Sequence, residues 1–174
     1  MQQHNTTLIE NSQIALRRAN LEDAVFILQL LNQTSFINNI RDKGIRTIED
    51  AQSHIEQSFL IPYQIGAVAP FVVVEQGTNQ AIGICGLYQR PFLTCPDIGY
   101  AFLDDYTGRG LAYQSAALLI EFLKTQNEVS QLSAITLNSN KPSINLLSRL
   151  GFSRVGELII DAHLKPVQLF VLAL

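Results

Sequence analysis

At 174 residues the chain has room for one domain with its own core, and 47% hydrophobic against 16% charged residues describe a globular chain that needs neither a disulfide nor a metal staple. A formal net charge of -3 with no Lys/Arg cluster excludes nucleic acid and other long polyanions as partners. Cys85 and Cys95 form no CxxC pair, His4, His54 and His163 are scattered, the first ten residues are polar, and no apolar run nears the ~18 residues of a membrane span. These features lead to the expectation of a metal-free protein of the reduced cytoplasm with no membrane partner.

Residues 1–12 read as a frayed, disordered N-terminus, and residues 13–174 as a single domain without repeat or linker. Residues 13–18 (QIALRR) alternate as a strand, and Asn20 with Asp23 opens a helix carrying Ala24, Val25, Leu28 and Leu31. A loop is expected over residues 33–46. Thr47 with Asp50 then caps a helix through Ala51, Ile55 and Phe59, with Pro62 marking its exit. Residues 71–75 (FVVVE) and 81–88 (AIGICGLY) flank a Gly77-Thr78-Asn79 turn and read as a hairpin, which residues 97–103 (DIGYAFL) extend. Ala112, Ala116, Leu119 and Leu123 fall at helical spacing; residues 132–137 form a strand, Asn140 caps a helix with Pro142 in its first turn, and residues 152–160 and 167–174 close the chain as a hairpin.

The glycine-bearing turn Tyr106-Thr107-Gly108-Arg109-Gly110-Leu111-Ala112 carries the strongest chemical signal. It delivers the chain from a strand into a helix whose first N–H groups have no internal partner and whose dipole favours an anion. Neither established phosphate motif fits: the GxxxxGK[ST] loop is absent, and Tyr113 stands where GxGxxG requires its third glycine.

This turn after DIGYAFL, followed by Asn140-Lys141-Pro142-Ser143 and Leu150-Gly151-Phe152, resembles the GCN5-related N-acetyltransferases, most of all the branch of ribosomal-protein alanine N-acetyltransferases. The likeness runs from Leu16-Arg17-Arg18-Ala19 to the terminal hairpin. It implies an α+β fold, a mixed and mostly antiparallel sheet of about seven strands flanked by about four helices, and acetyl-CoA as co-substrate. It implies that the pyrophosphate meets the backbone of Gly108, Arg109, Gly110, Leu111 and Ala112. The pantetheine arm would lie between Phe102 and Leu103 on one strand and Asn138 and Asn140 beyond the next. Thr107 departs from the Gln or Arg that the family often carries there, which leaves the backbone donors intact.

The implied reaction is direct attack of a neutral amine on the thioester, through an oxyanion held by backbone N–H. Asp97 matches the position of a glutamate base in histone-acetylating relatives, and a solvated strand-edge aspartate is the competing reading. The family's tyrosine acid corresponds to Leu147 and is absent. Ser143 is the candidate donor to the departing thiolate and also lies near the cofactor, the alternative being a first-turn residue bonded to backbone. Arg41, Asp42, Tyr88 and Arg90 stand on elements that line the acceptor site in the family. Cys85 reads as core filler and His54 as a packing residue. The expected activity is acetylation of an α-amine of a protein or peptide, against a small-molecule amine acetyltransferase or a non-catalytic acyl-CoA-binding module; a monomer and a homodimer both remain open.

Overall fold

Alternation along the second strand splits the core in two. In the computed structural model, which describes residues 7–161 and 165–174, Ile14 and Leu16 turn to one face of the sheet while Ala15 turns to the other. Eight strands follow in chain order: β1 (Thr7–Glu10), β2 (Ile14–Arg17), β3 (Pro70–Glu75), β4 (Ala81–Tyr88), β5 (Asp97–Phe102), β6 (Gln131–Leu137), β7 (Ser153–Leu158) and β8 (Val167–Ala173). Their spatial order is β1-β2-β3-β4-β5-β6-β8-β7. Every neighbouring pair is antiparallel except β5 and β6, which are parallel.

Helices cover both faces. α1 (Ala24–Leu31), α2 (Thr34–Asn39) and α3 (Ile48–Ile55) pack Ile27, Leu30, Phe36, Ile55 and other apolar residues against Val72, Val74 and Ile84. On the opposite face, α5 (Leu111–Gln126) and α6 (Lys141–Arg149) set Ala116, Leu119, Ile120 and Leu147 against Val73, Ile82, Leu87, Ile98 and Phe170. Burying apolar side chains of this size stabilises by roughly 1.5–3 kcal/mol each, so these two clusters hold the sheet between its helical layers.

Three sequence expectations differ from the structure. Residues 7–10, within the stretch expected to fray, form β1, whose backbone pairs antiparallel with β2. The expected loop over residues 33–46 contains α2, which buries Phe36. Its apolar content is too small to announce a helix by periodicity. Pro62 does not end its helix: the chain runs from α3 through a π-helical turn (Glu56–Leu60) into α4 (Ile61–Ile65). Proline lacks an N–H and crowds the carbonyl four residues earlier, and the wider π turn just before it relieves both demands. Gly66, at φ 68°, then closes the helix in the left-handed conformation glycine favours. With β1 the described sheet has eight strands, in keeping with the expected α+β fold and its mixed, mostly antiparallel sheet of about seven. His4 and His163 lie outside the described residues.

Two polar links, the first buried and the second part-buried, tie the layers together. Arg17 meets Asp23 through two bonds, at 2.9 and 2.7 Å, joining β2 to the 3₁₀ turn (Leu21–Asp23) that starts α1. The Tyr63 hydroxyl donates to the Pro70 carbonyl and accepts the Ala19 N–H at 3.3 Å, fastening α4 to the sheet.

Candidate active site

The parallel neighbours β5 and β6 touch at one bridge, Asp97 opposite Ser133, where the Ser133 N–H reaches the Pro96 carbonyl at 2.9 Å. Beyond it they part. Backbone groups alternate sides along a strand; the Pro96 carbonyl points to β6 and the Leu103 N–H points to Ile82 on β4, so Ile98, Tyr100 and Phe102 present their backbone to the gap. An exposed edge of this kind accepts an extended, amide-bearing chain as a substitute strand. From Ile98, whose N–H closes the bridge, to Phe102, β5 offers such an edge over about 14 Å, at ~3.4 Å per residue.

The glycine turn lies at the end of that edge. After Leu103, a 3₁₀ turn (Asp104–Tyr106) is closed by Thr107, whose N–H and hydroxyl both bond the Asp104 carbonyl at 3.1 and 2.8 Å. Thr107 thus shapes the turn through its side chain. Gly108 and Gly110 adopt φ 73° and 76°, and a Cβ at either would meet no atom within 4 Å, so conformation rather than crowding requires glycine here. The first helical bond of α5 runs from Gln114 N–H to Gly110 O at 3.1 Å, which leaves the N–H groups of Leu111, Ala112 and Tyr113 free for an anion. The 16-residue helix behind them supplies a full dipole. The Arg109 side chain is engaged elsewhere, paired with Glu75 at 3.1 Å and stacked over Tyr106, so its backbone is the part that faces the turn's task.

Gln33 fixes the junction between strand and turn. Its amide donates to the Phe102 carbonyl at 3.2 Å and accepts the Asp104 N–H at 2.7 Å. Phe102 and Leu103 are themselves buried, in opposite cores, and of the two Phe102 turns its backbone to the gap while Leu103 turns its own to β4. The Phe102 ring requires Gly83 across the β4–β5 ladder, since a Cβ there would stand 2.5 Å from the ring.

Across the gap, Asn140 caps α6 by accepting the Ser143 N–H at 3.2 Å. The Ser143 hydroxyl lies 3.0 Å from that of Tyr100 on β5, so these two groups bridge the two sides of the opening. Burial pushes the Tyr100 hydroxyl up to about 12 despite the opposing bond from Ser143, keeping it protonated at neutral pH. Asn138 engages Glu157 at 3.1 Å and Gln168, so its side chain is committed to β7 and β8. Leu147, in the place of the family's tyrosine, fills the core.

The remaining candidates divide. Asp97 is 1% exposed and takes Arg90 Nε at 2.8 Å. Burial raises its pKa while Arg90 opposes the rise. This geometry disagrees with the reading of a solvated strand-edge aspartate. Tyr88 lies across the ladder from Asp97, its ring close enough to β5 that a Cβ on Gly99 would stand 2.7 Å from it. The Arg90 guanidinium carbon lies 5.9 Å from the same ring, so Tyr88, Arg90 and Asp97 form one cluster. Arg41 is in electrostatic reach of Lys43 and His54, whereas Asp42 pairs with Arg46 at 2.5 Å.

Sequence reasoning missed Tyr100, Gln33 and Lys43. Tyr100 was accessible: alternation sets it in a row with Ile98 and Phe102, and a phenol in an apolar row needs a hydrogen-bond partner. Gln33 lay in an expected loop and gave no pattern, and Lys43 stood in the 41–47 stretch that the resemblance includes, with no role assigned to it. Among the described residues no group of three or more His, Cys, Asp and Glu is placed to hold a metal ion, and no helix is long and apolar enough to cross a membrane.

A sheet with one split parallel pair, leading into a glycine-bearing helix N-terminus, is joined here with a match to an acetyltransferase family, and the class is that of acyl-CoA-dependent transferases. The Acetyltransferase (GNAT) domain model matches residues 13–153. The chain belongs to the GNAT family and is an acetyl-CoA-dependent N-acetyltransferase. It is 25% identical over 146 residues to the uncharacterized N-acetyltransferase p20 of Bacillus licheniformis, covering 83% of this chain and 82% of that protein. In structure it is similar to RimL, the ribosomal L7/L12 α-N-protein acetyltransferase, in complex with coenzyme A: TM-score 0.85, 16% identity, 97% and 98% of the two chains covered. The microcin C7 self-immunity acetyltransferase MccE, in complex with acetyl-CoA and AMP, gives a TM-score of 0.82 at 21% identity, with 94% of each chain covered.

Proposed function

We propose that this enzyme acetylates the α-amine of a protein or peptide. The observation that carries the reading is the state of Asp97: buried and bound to Arg90, its carboxylate is poorly placed to strip a proton from a strongly basic amine. At pH 7 about a tenth of an α-amine of pKa ~8 is already neutral, against roughly one part in 2,500 of a lysine of pKa ~10.4. The acceptor that needs least help is the α-amine. The structural likeness to RimL, an α-N-protein acetyltransferase, supports the same choice.

The residues present fit acetyl-CoA, since the turn offers unpaired N–H groups with open space around both glycines and β5 offers a free edge. When bound, acetyl-CoA supplies an activated acetyl group and a thiolate leaving group. The chain's part is to bind and orient. Backbone N–H of Gly108, Arg109, Gly110, Leu111 and Ala112 would take the phosphates, and the β5 edge at Tyr100 and Phe102 would align the arm and polarise the carbonyl. Phe102 and Leu103 shape one wall, and Asn140 fixes the other by placing Ser143.

Ser143 is the donor to the leaving sulfur in this reading, and Tyr100 acts through it. Either hydroxyl can donate in this bond, and in this reading the protonated phenol donates its O–H to the serine oxygen, which leaves the serine proton free to point into the gap. Asp97 holds Arg90 and Tyr88 at the acceptor end and can draw a proton from the amine only through an intervening water.

Thiol release from acetyl-CoA at pH 7 tests the acceptor, comparing a peptide with a free N-terminus with an Nα-blocked peptide containing one lysine. A rate about two orders of magnitude higher for the free N-terminus is the expected result, from the neutral fractions above. Equal rates, or a faster lysine peptide, would remove the α-amine assignment.

A further inference from the structure

Two loops bring cations beside the cluster of Tyr88, Arg90 and Asp97, and among the described residues only Arg90, of Arg41, Lys43 and Arg90, has an acid partner. On the loop between α2 and α3, Asp42 is consumed internally: Arg46 holds one carboxylate oxygen at 2.5 Å and the Gly44 N–H donates to the other at 2.8 Å. Arg46 is anchored further by the Asn32 side chain at 2.9 Å and the Ile45 carbonyl at 3.0 Å. Among the described residues no acid pairs with Arg41 or Lys43. On the loop between β4 and β5, Arg90 gives only its Nε to Asp97, and the outer edge of its guanidinium has no carboxylate.

These cations converge. Lys43, half-buried, lies in electrostatic reach of both Arg41 and Arg90, and burial first and those charges next hold its ammonium below the ordinary lysine range. His54, on α3, faces Lys43 and Arg41 and is held to about 4, again by burial first. It adds no negative charge to offset them. Like charges gathered in partial burial raise the energy of the free protein, and a ligand carrying negative charge relieves that cost. Asp97 cannot supply the relief, since one half-exposed arginine already satisfies it.

We infer that the rim formed by Arg41, Lys43 and the outer edge of Arg90 selects acceptors in which the reacting amine is followed by carboxylates, namely acidic N-terminal peptide segments. The inference rests on the α-amine reading for the identity of the reacting group. Polycationic amines are disfavoured by the same charges. An ammonium arriving beside the rim also has its pKa lowered, which enlarges its neutral, reactive fraction. Selection and activation thus come from one arrangement.

The test is binding, followed apart from turnover. Two hexapeptides with free N-termini and a C-terminal fluorophore, one with Glu and Asp at its second and third positions and the other with Gln and Asn, are titrated against the protein saturated with coenzyme A. Fluorescence anisotropy is expected to give about tenfold tighter binding of the acidic peptide at low ionic strength, a difference of ~1.4 kcal/mol. The preference should shrink as salt rises to several tenths molar. It should vanish in the Arg41→Gln/Lys43→Gln variant, whose thermal shift with acetyl-CoA reports that it is folded. Equal affinities, or a preference that survives in the double variant, would overturn the inference. Thiol release with the same peptides separates the two readings: preferential binding without acetylation defeats the α-amine assignment and leaves the rim standing.

Discussion

The Tyr100 hydroxyl stands 3.0 Å from the Ser143 hydroxyl, one carried by β5 and the other by the first turn of α6, on opposite sides of the only parallel junction in the described sheet. Tyr100 and α6 pack on the same face of the sheet, so the bond ties β5 to the orientation of the proposed proton donor.

The coupling has a kinetic signature. Tyr100→Phe keeps the ring and removes the hydroxyl, and is expected to lower kcat about tenfold, ~1.4 kcal/mol, with KM for acetyl-CoA changing less than threefold. In a Ser143→Ala background the same change should add almost nothing, because its route of action is gone. Additive losses in this double-mutant cycle would show that Tyr100 acts independently of Ser143.

Gly110 tests the turn. Its φ of 76° is costly for any residue with a Cβ, by about 1–2 kcal/mol, although space itself is open. Gly110→Ala should weaken acetyl-CoA binding about tenfold in calorimetry, with a Tm loss of only a few degrees. Unchanged affinity would mean that the turn's backbone conformation does not matter for the cofactor.

Much of this arrangement was legible in the sequence. The glycine turn, the strand before it and the Asn140 cap announced themselves through backbone demands that few other residues meet. The split of β5 from β6 was not derivable from periodicity, because a strand's alternation reports its faces and says nothing about its edges. α2 and the helical passage through Pro62 were hidden for a related reason: one is too short for a periodic signal, and the other depends on a π turn that no local composition encodes. Asp97 shows the limit most clearly. Its position in the motif was readable, whereas its bond to Arg90 across an eight-residue connection required the fold.

His54 gives a pH dependence. Its folded pKa of about 4 lies below the ordinary 6.5, so the folded protein resists a proton that the unfolded chain accepts. The associated stability is fully present above pH 6.5 and is lost as pH falls toward 4. Allowing for partial solvent exposure and screening, the loss is about 1–2 kcal/mol. Thermal melts between pH 7 and 4 should show a shallower decline for His54→Gln than for the parent; parallel declines would mean that His54 titrates normally.

Arg17 and Asp23 are buried and joined by two bonds, so removal of one partner strands the other. Asp23→Ala should cost about 3 kcal/mol, or roughly 6–12 °C in Tm for a domain of this size. A loss below about 1 kcal/mol in chemical denaturation would show that water enters and replaces the pair.

Transfer of an acetyl group from acetyl-CoA to an α-amine can be read from the product itself. The enzyme and acetyl-CoA are incubated with a peptide that carries both a free N-terminus and an internal lysine, and the added acetyl is located by fragment-ion mass spectrometry. One acetyl group, on the N-terminal nitrogen, is the expected product. Acetyl on the lysine alone, or an unmodified peptide across a panel of N-terminal sequences, would contradict it.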